Sequence, residues 1–309
     1  MERIIDPIAP ALVERQLKSQ RFLRASNKGG NEIYIIDGRE VPDAMAEIGR
    51  LREIAFRAAG GGTGKACDID EFDLMSPPCR QLVVWDPETR SILGGYRFIC
   101  GPDIYIDPDM RVPRIATSHM FNFSPRFIDE YLPKTIELGR SFVRLEYQST
   151  RAGIKAIYVL DNLWDGLGAL TVDYPDIEYF FGKVTMYPSY SAECRNMILY
   201  FLHKYFPDPD RLVRPIRPLN TRIDTAAMEA IFTGDDFKED YRRLNHAVRE
   251  RGYNIPPLVN AYMNLSPSMR MFGTAINDEF GDVEESGIFF ALSDIFEAKK
   301  NRHIDTYTH

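Results

Sequence analysis

The chain has 309 residues, 44% of them hydrophobic and 27% charged, which supports a packed core and excludes wholesale disorder. Lys plus Arg number 38 against 45 Asp plus Glu, and the net charge of −7 argues against a general nucleic-acid binder. The four cysteines, Cys67, Cys79, Cys100 and Cys194, lack CxxC or finger spacing, so free thiols in a reducing cytoplasm are expected.

The opening MERIIDPIAP carries acids where a secretory signal needs a basic and then apolar run. The apolar segment IKAIYVLDNLWDGLGALTV is interrupted by Asp161 and Asp165, so it is not read as a membrane span. EIYIID (32–37) is rich in β-formers and reads as the first strand. In VPDAMAEIGRLREIAFRAAG, Met45, Ile48, Leu51, Ile54 and Ala55 recur at helical spacing, and the glycines at 60–64 end that helix. RQLVVWD and SILGGYRFICG form a hairpin around Pro87. IELGRSFVRLEY is a further strand, a helix follows over about 153–172, and IEYFFGKVTM is again a strand. AECRNMILYFLHKYF is an amphipathic helix ending before Pro207, and FPDPDRLVRPIRPLN is an extended connection. A charged helical stretch covers 224–251, and the chain closes with PPLVNAYMNLSPSMRMFGTAINDEFG and the strand SGIFFALSDI. One integrated domain over 1–309 is expected, with a core at 30–206, a helical insertion at 207–265 and closing strands at 266–295.

AGGGTGKA (59–66) is not a phosphate-binding P-loop. It has Ala59 and Ala66 at the motif's Gly and Ser/Thr positions, and it follows a helix where a P-loop follows a strand. A flexible loop over or beside a pocket is the better reading. DIDEFD gathers Asp68, Asp70, Glu71 and Asp73, which from composition alone describes a solvated loop as well as a site. Buried, these carboxylates would need cations, and Arg52, Arg57 and Arg97 are available. Glu137 and Arg140 stand three apart on an apolar strand, where charges are costly and where regular pleating sends them to opposite faces. The five histidines show no zinc spacing, so no metal is expected; His119 is a candidate base or a structural histidine.

The order Arg52, Phe56, Asp70, Asp73, Arg97, Glu137, Arg140 resembles the N-acyl amino acid synthases of the acetyltransferase (GNAT) superfamily, the ornithine-lipid and acyl-glycine kind often labelled haemolysin-like. The acyl-homoserine-lactone synthases are more distantly similar. Pro257, Leu258, Tyr262, Phe272–Gly273, Asp278 and Phe280–Gly281 continue the resemblance, which covers roughly residues 30–295. It implies an α/β, GNAT-like mixed central sheet flanked by helices, with a helical insertion in the C-terminal third.

The resemblance also implies transfer of a long acyl group, plain or 3-hydroxylated, from acyl carrier protein to the α-amine of an amino acid. The product would be a lyso amino-acid lipid, to which a second acyltransferase adds another chain. The implied place is the cytoplasm, with transient contact at the inner membrane face. Coenzyme A-dependent acetylation of a small amine is the alternative, or a non-catalytic acyl-carrier or lipid-binding module. No bound cofactor is expected; the donor is the carrier's acyl-phosphopantetheine, with a coenzyme A thioester as the alternative.

In this reading Glu137, directly or through water, accepts the amine proton. Arg52, Phe56, Asp70, Asp73 and Arg97 shape the acceptor pocket, and Arg97 or Arg140 holds the acceptor carboxylate. Tyr187, Tyr190 or water protonates the leaving thiolate. Gln148, Arg151 and Gly153 stand where acetyltransferases bind the donor phosphate, although Arg151 replaces the motif's first glycine; a plain strand-to-helix loop is equally open. The aromatic runs at 121–123 and 179–181 offer an acyl slot or ordinary core. Basic docking of the acidic carrier falls to Arg15, Lys18, Arg21, Arg24 and Lys28, or to Arg211, Arg214, Arg217 and Arg222.

Overall fold

The computed structural model describes residues 1–148, 154–234 and 236–308. Helix α1 (Pro10–Lys18) and strand β1 (Arg21–Ala25) precede the first strand read from the sequence. β1 is five residues long with two arginines and no alternation of burial, so no period marks it. Strand β2 (Glu32–Ile36) pairs antiparallel with it.

Helix α2 (Pro42–Ala59) opens on proline, whose missing N–H is no loss in a first turn. It closes at Gly60, φ 98°, where the amides of Gly60 and Gly61 bond to the carbonyls of Arg57 and Phe56. The apolar face buries Met45, Ile48, Leu51 and Ala55, and with them Arg52 and Glu53, both at 0% exposure. Buried charges on an apolar face require partners. Glu53 finds some of its own in the glycine loop, accepting from Thr63 N at 3.1 Å, Thr63 Oγ1 at 2.8 Å and Gly64 N at 2.8 Å. It also pairs with Arg57 at 2.6 Å, which places Arg57 outside the acidic segment's network.

The short helix α3 (Glu71–Leu74) leads to the hairpin of β3 (Arg80–Asp86) and β4 (Ser91–Cys100). Strand β5 (Phe121–Phe123) lies apart, β6 (Thr135–Val143) returns to the sheet, and α4 (Ile154–Asp173) crosses to β7 (Tyr179–Met186). After α5 (Ala192–Tyr205), the stretch expected to be a helical insertion contains strand β8 (Val213–Pro215) as well as α6 (Thr225–Ile231), α7 (Phe237–Glu250) and α8 (Pro257–Met263). β8 pairs with β5. Strands β9 (Arg270–Asn277) and β10 (Val283–Ala291) then join the main sheet, followed by α9 (Glu297–His303). The main sheet has eight strands in the order β1-β2-β3-β4-β6-β7-β10-β9, and the β6–β7 pairing is parallel while the other pairings are antiparallel. This is the mixed sheet flanked by helices that the resemblance implied.

Alternation distributes the side chains. Leu82 and Val84 enter a core shared with α4, α5, α7 and α8, while Val83 and Trp85 pack under α1 and α2. On this second face a separate apolar cluster, containing Phe121, Phe127, Phe181 and Phe289, lies toward β5 and β10. Charged and polar side chains occupy the sheet between the two clusters.

β6 is irregular at the centre. Arg97 pairs with Gly139 and Gly95 with Phe142, so β6 holds one residue more than β4 over this span, and Arg140 takes φ 47°. Glu137 and Arg140 therefore do not face opposite ways. The bulge breaks the two-residue alternation, and Arg140 reaches Asp70 on the same face where Arg97 meets it. Pairing of β6 with β7 runs from Thr135↔Tyr179 to Leu138↔Gly182, and no strand pair continues it. Beyond that point the two strands part.

Candidate active site

The acidic segment is a structured turn. Asp70 Oδ1 accepts from the amides of Phe72 (3.0 Å) and Asp73 (3.3 Å), and Asp73 Oδ2 accepts from the amide of Asp70 at 3.1 Å, a reciprocal capping box. Asp68 and Asp73 are fully buried, which rules out a solvated loop. Their partners form one chain of alternating charge. Arg52 meets Asp73 at 3.3 Å, Arg97 meets Asp73 at 3.4 Å and Asp70 at 2.6 Å, and Arg140 meets Asp70 at 3.3 Å and Asp68 at 3.0 Å. Gln81 donates to Asp73 at 2.9 Å and accepts from Arg52. Burial alone would raise the Asp70 carboxyl, but Arg97 and Arg140 outweigh it and hold the group below the usual carboxylate range. Burial likewise opposes the charge on Arg97, and Asp73 and Asp70 overcome it.

Aromatic rings support these cations. Arg97 lies over Phe72 at 5.5 Å and Arg140 over Phe280 at 4.5 Å. Phe56 meets Phe280 edge-on at 5.0 Å. Arg52 and Phe56 of α2, Asp70 and Asp73 of the acidic turn, Arg97 of β4 and Arg140 of β6, four separate segments of sequence, thus make one continuous assembly.

Glu137 stands on the same face, 5% exposed, and accepts from the hydroxyl of buried Thr117 at 2.9 Å. Burial raises its carboxyl above the ordinary glutamate value; Thr117, Arg97 and Lys183 pull in the other direction without cancelling the rise. Lys183, from β7, pairs with Glu285 of β10 and lies 5.9 Å over Phe280. Glu285 also accepts from Thr185 Oγ1 at 2.7 Å and from Asn277 Nδ2 at 3.4 Å. His119 is exposed, yet its Nε2 lies 3.3 Å from Asn277 Oδ1 and 3.8 Å from Glu279. It therefore joins the polar assembly at its rim through Asn277, and no contact with Glu137 links the two candidate bases.

The donor-side residues are less fully described. Gln148 folds back to donate to the Val143 carbonyl at 2.6 Å. Arg151 and Gly153 lie outside the described residues. Tyr187 packs against the apolar cluster of α1, α2 and β3 that also holds Phe56 and Phe280, and burial pushes its hydroxyl up to about 12. Tyr190 instead donates to the Asn254 carbonyl at 3.0 Å. The runs at 121–123 and 179–181 contribute Phe121, Phe180 and Phe181 to close-packed core. A groove of about 640 Å³ opens elsewhere, between α1, α2 and the end of β6, with Ile8, Val13, Leu51, Trp85 and Ile92 among its walls and Arg50, Arg90 and Arg144 among its charged lining. It contains neither the Asp–Arg chain nor Glu137. Among the described residues, no three His, Cys, Asp or Glu gather in a way that could hold a metal ion, and no helix is long and apolar enough to cross a membrane.

Thr117, Lys183, Asn277, Phe280 and Glu285 complete the assembly and were not selected as site residues from the sequence. Lys183 in YFFGKVTM and Glu285 in VEESGIFFA carried the same signal that marked Glu137, a charge inside an apolar strand.

Residues 51–157 match the acetyltransferase (GNAT) domain family. Over 99% of its length the chain is 60% identical to a glycine N(alpha)-acyltransferase of Phocaeicola vulgatus, covering 94% of that protein. It is equally 60% identical to a glycine N(alpha)-acyltransferase of Bacteroides thetaiotaomicron, covering 91% of it. An L-ornithine N(alpha)-acyltransferase of Brucella abortus is 25% identical over 94% of this chain and 96% of its own length. Among solved structures, the AHL synthase LasI aligns over 57% of this chain and 79% of its own with 13% identity, at a TM-score of 0.29. The long, high-identity matches decide the matter: the chain belongs to the N-acyl amino acid synthases of the GNAT superfamily, and it is an acyltransferase that acts on the α-amine of an amino acid.

Proposed function

We propose that the acceptor is glycine and that the donor is a long acyl thioester carried on acyl carrier protein. The acceptor reading is supported by two glycine-named relatives at 60% identity over nearly the whole chain. The observation that carries the chemistry is Glu137, a buried carboxylate with a raised proton affinity where β6 and β7 part. A protonated amine cannot attack, and a carboxylate more basic than usual is the better acceptor for its proton. The amine nitrogen then bonds to the thioester carbon. As the tetrahedral intermediate collapses the C–S bond breaks, the nitrogen gives up its surplus proton, and the departing thiolate gains one. The transfer runs through water or the Tyr187 hydroxyl and leaves amide and free thiol. Backbone N–H groups of β6 beyond Leu138, past the last residue paired with β7, are assigned to the tetrahedral oxyanion.

The phosphopantetheine arm of a carrier places one phosphate and no adenosine at the loop after β6, which fits an arginine at position 151 better than a glycine cradle does. The groove beside α1 and α2, away from Glu137, has an apolar wall of Ile8, Leu51 and Trp85 among charged residues, and this wall is assigned to the far part of a long tail. The product would be an N-acyl amino acid, detergent-like in character and a precursor for a second acyltransferase. Such a product calls for release at the cytoplasmic membrane face.

The test compares donors with purified protein and glycine. Long acyl-carrier thioester should release thiol and give N-acylglycine by mass spectrometry. Equal or better use of acetyl-coenzyme A would replace this reading with coenzyme A-dependent acetylation.

A further inference from the structure

Glycine offers only two handles, an amine and a carboxylate. On the reading of an amino-acid acceptor given above, the amine meets Glu137, so the carboxylate needs a cation on the same face. Arg52, Arg97, Arg140 and Lys183 are the cations of this assembly. Arg97 is taken by Asp70 and Asp73, Arg140 by Asp68 and Asp70, and Arg52 by Asp73 and Gln81. Lys183 differs. An ammonium has three N–H donors, and its one hydrogen-bond partner among the described residues is Glu285. Its side chain keeps 11% of its surface open.

Position agrees with this difference. Phe181 of β7 pairs with Glu137, and Lys183 lies two residues further along the same face, about 7 Å up the strand. Gly139 stands across from it, one step past the last paired residues Leu138 and Gly182. A Cβ added at Gly139 would meet nothing within 4 Å, so the space directly over Gly139 is open.

We infer that Lys183 is the anchor for the acceptor's α-carboxylate, holding it over Gly139 with the amine turned toward Glu137. Glu285 is a positioning residue. It fixes the ammonium and is itself fixed by Thr185 and Asn277. The Asp–Arg chain then shapes the wall of the pocket without binding the carboxylate itself.

Removing Lys183 alone would strand the buried Glu285 carboxylate, so the test uses Lys183→Met combined with Glu285→Gln, checked for folding by circular dichroism, and Lys183→Arg beside it. Each is assayed with glycine and with glycinamide, which keeps the amine and replaces the carboxylate by a neutral amide. Wild type should prefer glycine. The double variant should raise KM for glycine by roughly 10- to 100-fold, the weight of a charge-assisted hydrogen bond, with a smaller change in kcat. Its KM for glycinamide should stay within about twofold, so the preference collapses. Lys183→Arg should retain the preference.

If glycine and glycinamide lose activity in parallel, or if the preference survives in the double variant, Lys183 does not hold the carboxylate. Loss of the preference in Lys183→Arg together with normal folding would also overturn the assignment. Failure of the acceptor reading itself is seen separately, as wild-type protein that acylates no amino acid.

Discussion

Arg97 donates to Asp70 at 2.6 Å, and the Asp70 oxygen it reaches, Oδ1, is the same one that caps the turn of α3. One carboxylate oxygen therefore serves both the local fold of the acidic segment and one of its links to the sheet, beside those made by Asp68 and Asp73. The segment cannot loosen without releasing the arginine, and the arginine cannot be removed without exposing a buried charge.

Asp73 and Arg97 should behave as a unit. Asp73→Asn and Arg97→Gln each leave an uncompensated buried partner, and each should destabilise the protein by about 3–5 kcal/mol. The double variant should lose less than the sum, because the second change removes a charge the first had orphaned. Denaturant unfolding of the two singles and the double measures the coupling. Additive losses each below about 0.5 kcal/mol would show that the chain of charges has no energetic role.

Acid should weaken the assembly through Asp70. Its carboxyl lies below its usual value in the folded state. The stability this confers is complete above the unfolded value, about 3.9, and is lost as pH falls below it toward the folded value. The melting temperature of wild type should accordingly drop more steeply than that of Asp70→Asn as pH falls below about 4 toward about 2. Parallel curves would mean that Asp70 contributes no such term.

Glu137→Gln should keep the fold and lower turnover by roughly 10²–10⁴-fold, the usual contribution of a positioned acid–base group. Burial raises this carboxyl, so the acid limb of kcat/KM in wild type should lie above the ordinary glutamate value of about 4.3. That limb should vanish in the variant. An unchanged rate near neutral pH would remove Glu137 from proton transfer and turn attention to His119 or a bound water.

Carrier docking should follow the basic surface at 211–222. Arg211, Arg214, Arg217 and Arg222 are all exposed there, and Ile216 bonds to Met120 beside the site. In the alternative cluster Arg24 is buried against Asn27 and Thr306, which leaves Arg15, Lys18, Arg21 and Lys28 at the surface. Charge reversal at Arg211, Arg214 and Arg222 should raise KM for the carrier thioester, increasingly so at low salt, with little change in kcat. Should only reversal of the first cluster do this, the carrier approaches from the α1 side. If neither does, the donor is not docked by charge.

Much of this was legible in the sequence because local rules were strong. The β3–β4 hairpin had buried β-formers around Pro87, and α2 had its apolar spacing and its closing glycine. Asp70 and Asp73 stood out because acids cluster there around Phe72. Lys183 and Glu285 did not, since their partnership joins residues 102 apart in the chain across neighbouring strands. Each is a charge inside an apolar strand, as Glu137 is, but nothing local says that the two meet until the sheet order brings β7 beside β10. The geometry of Glu137 and Arg140 was misjudged for a different reason: strand parity assumes a regular ladder, and one extra residue reverses its answer.

That extra residue has a further consequence. A sheet normally has two edges, and here those are β1 and β9. By parting from β7 after Leu138, the last part of β6 becomes a third edge in the middle of the sheet. Unlike an outer edge, it lies inside the sheet, between β4 and β7. A slender extended ligand can use it, laying its own amides along the strand as a guest strand would. On the proposed reading of a carrier-borne donor, the amides of its arm would have this edge to bond to before any side chain takes part.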